Sequence, residues 1–124
     1  MKRGHGFTLI ELLVVMAILA TLLSIAAPRY IDSVSRAKEA ALHTNLRMLR
    51  EAIDKHLADT GRLPETLDQL ASARYLRNVP LDPMTDRTNS WLHVPHPDGV
   101  TAGIFDVRSG APGVGRDGTP YSSW

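Results

Sequence analysis

The chain divides by hydropathy into an apolar N-terminal stretch and a mixed remainder. Residues 7–27 form an almost uninterrupted apolar run. This run is long enough to cross a bilayer as one helix, since about 20 apolar residues span the hydrocarbon. It contains one ionisable side chain, Glu11, one turn from its start. A carboxylate at that depth costs roughly 2.5–3.5 kcal/mol on insertion scales, so we expect Glu11 to have a partner and a purpose.

An amphipathic pattern follows Pro28. Proline removes one backbone donor, and because helix-favouring sequence resumes at once, we expect a bent or locally opened helix that continues. Gly61 and Pro64 indicate that this helix ends near residue 60. Apolar residues recur along it at helical spacing and predict one stripe packed on a globular head. The stripe consists of Leu42, Leu46, Leu49, Ile53 and Leu57.

The rest of the chain predicts a short helix and a small sheet. Residues 64–70 have proline at the start and leucines three apart, which indicates a second helix. Residues 91–94 and 103–107 are β-prone, and the turn signal Asp98-Gly99 between them favours an antiparallel hairpin. The predicted fold class is therefore α+β, with a long N-terminal helix whose outer half packs on a small antiparallel sheet.

Composition narrows the class of protein. A chain of 124 residues has room for one compact domain beyond the apolar run, and a net charge of +1 gives no strong attraction to nucleic acid. The absence of cysteine excludes disulfides, thiol nucleophiles and thiolate metal sites. Lys2 and Arg3 mark the short N-terminal flank as cytoplasmic, which sends everything after Pro28 outward.

The position of Gly6 argues against an ordinary secretory signal peptide. Such a peptide has its small cleavage residue after the apolar stretch, whereas Gly6 precedes it. The basic flank, Gly6 and the run from Phe7 to Glu11 resemble the prepilin leader and N-terminus of type IV pilins and type II secretion pseudopilins. Pro28 matches that family's characteristic proline.

The resemblance implies a processing event and a pilin-like organisation. A prepilin peptidase would cut after Gly6 and methylate the new terminal amine of Phe7. The implied parts are a cleaved leader (residues 1–6), a transmembrane and polymerisation helix (7–28) and a periplasmic domain (29–124). Glu11, Phe7 and Pro28 would be the assembly residues, because the amine of Phe7 on an adjacent subunit is the natural opposite charge for Glu11.

Four C-terminal segments look like the major pseudopilin of type II secretion: residues 60–64, 75–83, 105–110 and 117–124. This likeness implies a single-pass inner-membrane protein that assembles into a periplasmic homopolymer with minor pseudopilins, on an inner-membrane assembly platform. A type IV pilin or minor pilin, serving adhesion, motility or DNA uptake, is the alternative. A membrane-anchored periplasmic binding domain that never polymerises is a third reading, against which Glu11 and the glycine–phenylalanine junction argue.

Many members of that family bind one calcium ion in the C-terminal loop, through aspartates and backbone carbonyls. Here residues 111–113, Ala-Pro-Gly, stand where the family commonly has an aspartate–glycine pair. Asp117 and Asp106 are the remaining candidate ligands, with carbonyls of the glycine-rich stretch completing the shell. The alternative is that Asp117-Gly118 simply makes a turn.

No pattern indicates an enzyme. There is no phosphate-binding loop or pair of catalytic carboxylates, and no positioned base can be argued for Ser109. The five histidines are interpreted as incidental surface residues. Trp91, Tyr121 and Trp124 are expected to serve core or interface packing.

Overall fold

The computed structural model describes residues 4–124, so Lys2 and Arg3, on which the predicted orientation rests, lie outside the described residues. Contacts divide the chain into two compact units, one up to Arg36 and one from Ala37. The elements in chain order are helix α1 (Leu9–Thr60), helix α2 (Leu67–Ser72), strand β1 (Leu92–Val94), strand β2 (Asp106–Arg108) and a 3-10 helix (Tyr121–Ser123).

The first unit is a bare apolar helix. Every side chain from residue 7 to residue 27 is exposed, and α1 contains an 18-residue window of mean hydropathy 2.6 that is 0% buried. By length and composition, α1 alone among the described helices could cross a membrane. Helix α1 runs through Pro28, which confirms that the helix continues past the proline, whereas the bend stays a prediction.

The predicted stripe on α1 forms most of the core of the second unit. Leu42, Leu46, Leu49 and Ile53 are at most 1% exposed. The prediction for Leu57 is wrong, because this side chain is 39% exposed.

His56, at 5% exposure, takes the buried position that was predicted for Leu57. It lies four residues after Ala52 and three after Ile53, which are both buried, so it falls on the same face of α1. Its Nδ1 lies 2.8 Å from the Arg62 carbonyl oxygen, which can only accept, so Nδ1 carries the proton. The edge of the Tyr75 ring packs on it at 5.4 Å. The interpretation of His56 as a surface residue is therefore corrected.

The core is completed by side chains from α2, the loops and β2: Leu63, Leu67, Leu70, Leu76, Trp91, Ile104 and Val107. Tyr121 and Trp124 pack against this cluster, which confirms the packing role expected of the aromatic residues.

The two strands pair antiparallel, with Leu92 opposite Arg108 and Val94 opposite Asp106. This confirms the predicted pair, but β2 begins later than residue 103. Gly103 has a φ of 111°, and the N–H of Ile104 donates to the Pro64 carbonyl at 2.8 Å instead of to β1. The first residues of the predicted strand are thus drawn towards the loop before α2.

Helix α2 begins three residues after the predicted start at Pro64. Thr66 is its N-cap, and the Thr66 hydroxyl accepts a hydrogen bond from the N–H of Gln69 at 3.1 Å. Such a cap satisfies one of the donors that every helix leaves unpaired at its N-terminus. Gly61, with a φ of 71°, follows α1 as predicted, and its N–H donates to the Leu57 carbonyl at 2.8 Å.

Candidate functional site

The predicted processing junction lies just before α1. Residues 4–8 are outside any helix or strand, and both Gly6 and Phe7 are exposed. A Cβ built on Gly6 would meet no atom within 4 Å, and the Phe7 side chain is 87% exposed. The Gly6–Phe7 bond therefore lies in exposed, non-helical backbone. Cleavage and methylation stay predictions, and residues 1–3 of the predicted leader lie outside the described part of the chain.

Glu11 and Thr8 close a capping box at the start of α1. The N–H of Thr8 donates to Oε2 of Glu11 at 2.9 Å, and the N–H of Glu11 donates to the Thr8 hydroxyl at 3.2 Å. Two backbone donors that would otherwise be unpaired at the helix N-terminus are thereby satisfied. A carboxylate near this end is also favoured by the helix dipole.

Thr8 is a site residue that the sequence interpretation missed. The signal was present, because threonine followed three residues later by glutamate, directly before an apolar run, is the pattern of a capping box. The Thr8 N–H is thus a partner for the Glu11 carboxylate within the chain.

The capping box uses only one of the two carboxylate oxygens of Glu11. Oε1 has no hydrogen-bond partner among residues 4–124. By contrast, the hydroxyls of Thr21 and Ser24 donate within the helix, to the carbonyls of Ala17 at 2.8 Å and Thr21 at 2.6 Å. Within the apolar run, Glu11 is thus the one ionisable group, and one of its oxygens is open to a donor from outside the chain.

The two predicted calcium ligands have other partners. Oδ1 of Asp106 accepts from Nε of Arg50 at 2.8 Å, in an ion pair, and from the N–H of Val107 at 2.8 Å. Oδ1 of Asp117 accepts from the hydroxyl of Thr119 at 2.6 Å and from its N–H at 3.0 Å. These two bonds lower the pKa of Asp117.

The donor set does not fit a calcium cage as the chain is folded. Calcium takes six to eight oxygens, usually from more than one carboxylate. In the part of the chain that the structure describes, no three histidine, aspartate or glutamate side chains are grouped as metal ligands. Asp117 and Gly118 lie in a turn, where the N–H of Gly118 donates to the Gly115 carbonyl at 3.0 Å. Calcium binding stays a prediction, and the turn is what the backbone forms.

Two further histidines make defined contacts. The His43 ring stacks on the Trp124 ring with centroids 4.2 Å apart and 10° between the planes. Nδ1 of His96 lies 3.0 Å from the Asp98 carboxylate, beside the turn at Gly99. His43 is therefore a packing residue of the C-terminal segment, which corrects its interpretation as incidental.

An exposed apolar helix with one capped carboxylate, preceded by an open glycine–phenylalanine bond and followed by a small α+β head, defines the prepilin-type class of membrane protein. Residues 1–27 match the family described as the prokaryotic N-terminal methylation motif. No solved structure matches the chain significantly.

The type II secretion system core protein G of Klebsiella pneumoniae is 32% identical over 99 residues, covering 67% of this chain and 71% of that relative. The core protein G of Vibrio cholerae is 26% identical over 136 residues, covering 94% and 91%. The type IV major pilin protein PilA of Myxococcus xanthus is 35% identical over 71 residues, but this chain covers only 32% of it. The chain belongs to the family of type II secretion system core protein G.

Proposed function

We propose that this protein is the structural subunit of a type II secretion pseudopilus and that it polymerises through residues 7–28 to support protein export across the outer membrane. The observation that carries the proposal is the wholly exposed apolar run with a single carboxylate, whose Oε1 has no hydrogen-bond partner in the described part of the chain. Membership of the core protein G family supports the same role. A subunit of this kind acts by assembly, without catalysis.

Assembly would begin with processing. Cleavage after Gly6 by a prepilin peptidase releases the amine of Phe7, which lies four residues before Glu11. When two helices are staggered by about one turn, this amine reaches Oε1 of Glu11 on the neighbouring subunit. The charge pair sets the register of the helices, although a buried pair need not add net stability. Thr8 holds Oε2 meanwhile, so the carboxylate keeps its internal bond.

The proposed role as a pseudopilus subunit also implies a location and partners. The protein would span the inner membrane once, with residues 29–124 in the periplasm, and would meet an assembly platform in the inner membrane and minor pseudopilins in the filament. Nucleic acid is not among the expected partners, given a net charge of +1.

The test replaces Glu11 with leucine in a host that has the secretion system but lacks its own copy of this subunit. Insertion should be intact or improved, because the cost of the buried carboxylate disappears. Filaments on overproduction, and secretion, should be lost. Val14→Leu is the matched control, since Val14 is an exposed apolar residue of the same run, and it should assemble normally. Normal filaments from Glu11→Leu would refute the pairing.

A type IV pilin is the second candidate, favoured by one observation: the 35% identity over 71 residues to the type IV major pilin protein PilA. The two candidates differ in where the polymer is found. The chain can be expressed in one strain that lacks its major pilin and in another that lacks its major pseudopilin. If it restores surface pili in the first but not secretion in the second, it is a pilin.

A further inference from the structure

Three polar side chains of α1 contact the C-terminal segment, which we define as residues 113–124. They are Glu39, His43 and Arg50, separated by four and seven residues. At 100° per residue, these positions fall within about 40° of one another around the helix. All three belong to the unit that begins at Ala37. One face of α1 therefore presents an acid, an imidazole and a guanidinium to the same segment.

Glu39 binds the middle of the C-terminal segment. Its Oε1 accepts from the backbone N–H of Arg116 at 3.0 Å and from the hydroxyl of Tyr121 at 3.1 Å. Burial and, second, the bond to Glu39 raise the pKa of Tyr121. A carboxylate that accepts two bonds from residues 77 and 82 positions away joins distant parts of the chain.

His43 and its neighbours enclose the Trp124 ring. His43 stacks on one face of the indole, and the Tyr121 ring meets it edge-on at 5.0 Å. Nε1 of Trp124 donates to the Thr119 hydroxyl at 2.7 Å. A Cβ at Gly115 would collide with the ring, so only glycine allows this close approach. The Trp124 ring thus lies directly against the backbone at Gly115.

Arg50 ties the end of the C-terminal segment to β2. One guanidinium nitrogen donates to the Trp124 carbonyl at 2.8 Å and to the Val107 carbonyl at 3.0 Å, while Nε binds Asp106 at 2.8 Å. The planar fork of arginine suits three acceptors held in fixed positions.

Several oxygens that a cation could use already accept hydrogen bonds within the C-terminal segment. The carbonyls of Gly113, Gly115, Thr119 and Tyr121 accept from backbone N–H groups at 2.8–3.2 Å. Asp117 accepts from Thr119. A calcium ion bound here would compete with these hydrogen bonds for its oxygens.

We infer that the C-terminal segment is ordered by Glu39, His43 and Arg50 of α1, in place of the calcium ion that the family resemblance implies. The segment has few buried apolar residues and would otherwise be free to open. The helix side chains supply the cross-links that a metal would supply, so the order of the segment does not depend on calcium.

Hydrogen exchange on the full-length protein in detergent micelles tests this inference. The reporters are the backbone amides of Gly115 and Tyr121, which donate to carbonyls of the segment, and of Arg116, which donates to Glu39. For the unaltered chain, exchange in about 5 mM calcium and in excess chelator should coincide, since even weak extracellular calcium sites bind at about 1 mM.

Two variants and a control complete the design. Glu39→Ala and His43→Ala should each speed exchange of the reporters at least about fivefold in either buffer. Both residues are partly or fully exposed, so both variants should fold. Glu51→Ala removes an exposed glutamate of the same helix and should leave the reporters unchanged. Slower exchange in calcium overturns the inference, and so does a Glu39→Ala profile that matches the Glu51→Ala control.

Discussion

Shortening Leu49 to alanine should strongly destabilise the head, defined as residues 29–124. Leu49 is 0% exposed and belongs to a cluster in which Leu46, Ile53 and Val107 are no more than 1% exposed. Large-to-small changes at such positions cost 2–5 kcal/mol, depending on how far the site collapses. Because the cluster joins a long helix to a strand, little collapse is expected, and we predict a loss of about 3 kcal/mol.

The chain provides its own control for this experiment. Leu57→Ala is the same chemical change in the same helix, but Leu57 is 39% exposed. A substitution at such a surface position usually changes stability by no more than about 1 kcal/mol. The two variants therefore separate burial from helix propensity, which changes equally in both.

The assays are denaturant unfolding and thermal unfolding of a fragment that starts at residue 29, followed by circular dichroism and by the fluorescence of Trp91, which is 4% exposed, and of Trp124. We expect the fragment to fold and to stay monomeric, because the exposed apolar run is removed with residues 7–27. At about 4–8 °C per kcal/mol, Leu49→Ala should lower the Tm by roughly 12–24 °C. Equal effects at Leu49 and Leu57, or tight oligomers of the fragment, would show that the stripe faces a partner.

Two further predictions concern the ends of helices. Intact-mass measurement of protein from a host with a prepilin peptidase should give a chain that begins at Phe7 with a methylated amine, and a mature protein that retains Met1 would exclude this processing. Arg74 follows α2 with a φ of 64°, a left-handed conformation that glycine adopts without strain. Arg74→Gly should leave the free energy of unfolding unchanged or raise it by up to about 1 kcal/mol, and a clear loss of stability would mean that the arginine side chain has a role.

The long-range features of the fold could be predicted because they depend on periodicity and on single strong signals. The stripe from Leu42 to Ile53 has helical spacing, Gly61 ends the helix, and the Asp98-Gly99 signal lies between the two strands. The exchange of Leu57 for His56 could not be predicted from hydropathy. It depends on a hydrogen bond to the Arg62 carbonyl, which forms only once the loop after α1 has turned back.

The contacts made by the irregular segments could not be predicted either, because they join residues that are far apart in the sequence. Asp82 and Ser109 are both 0% exposed, although both are polar. The Ser109 hydroxyl donates to Oδ2 of Asp82 at 2.6 Å, and Oδ1 of Asp82 accepts from the N–H of Met84 at 2.8 Å. These two buried polar side chains, 27 positions apart, form a hydrogen bond with each other, and no local sequence pattern indicates such a pair. The same holds for Glu39 and Arg116, which lie 77 positions apart.

The part played by Glu11 illustrates how a local rule and a functional one can share a residue. As an N3 residue it completes the capping box with Thr8, which is a property of this helix alone. As the one ionisable group in an otherwise apolar run, it is also the group that can give helix association a defined register. Lipid tails are as apolar as leucine, so the apolar surface of the run cannot by itself select one register over another. In the proposed filament, Oε1 of Glu11, which has no hydrogen-bond partner among residues 4–124, would supply that directional contact.

Stability and assembly should therefore be separable in this chain. The stripe residues Leu42, Leu46, Leu49 and Ile53 are buried in the core of the head, whereas every side chain from residue 7 to residue 27 is exposed. Glu11 belongs to the first unit and Leu49 to the core of the second, so the effects of changing them are expected to add without coupling. A head weakened at Leu49 still presents an intact Glu11 to its neighbour, and a chain altered at Glu11 keeps an intact head. That independence distinguishes a polymer joined through its N-terminal helix from one joined through its head.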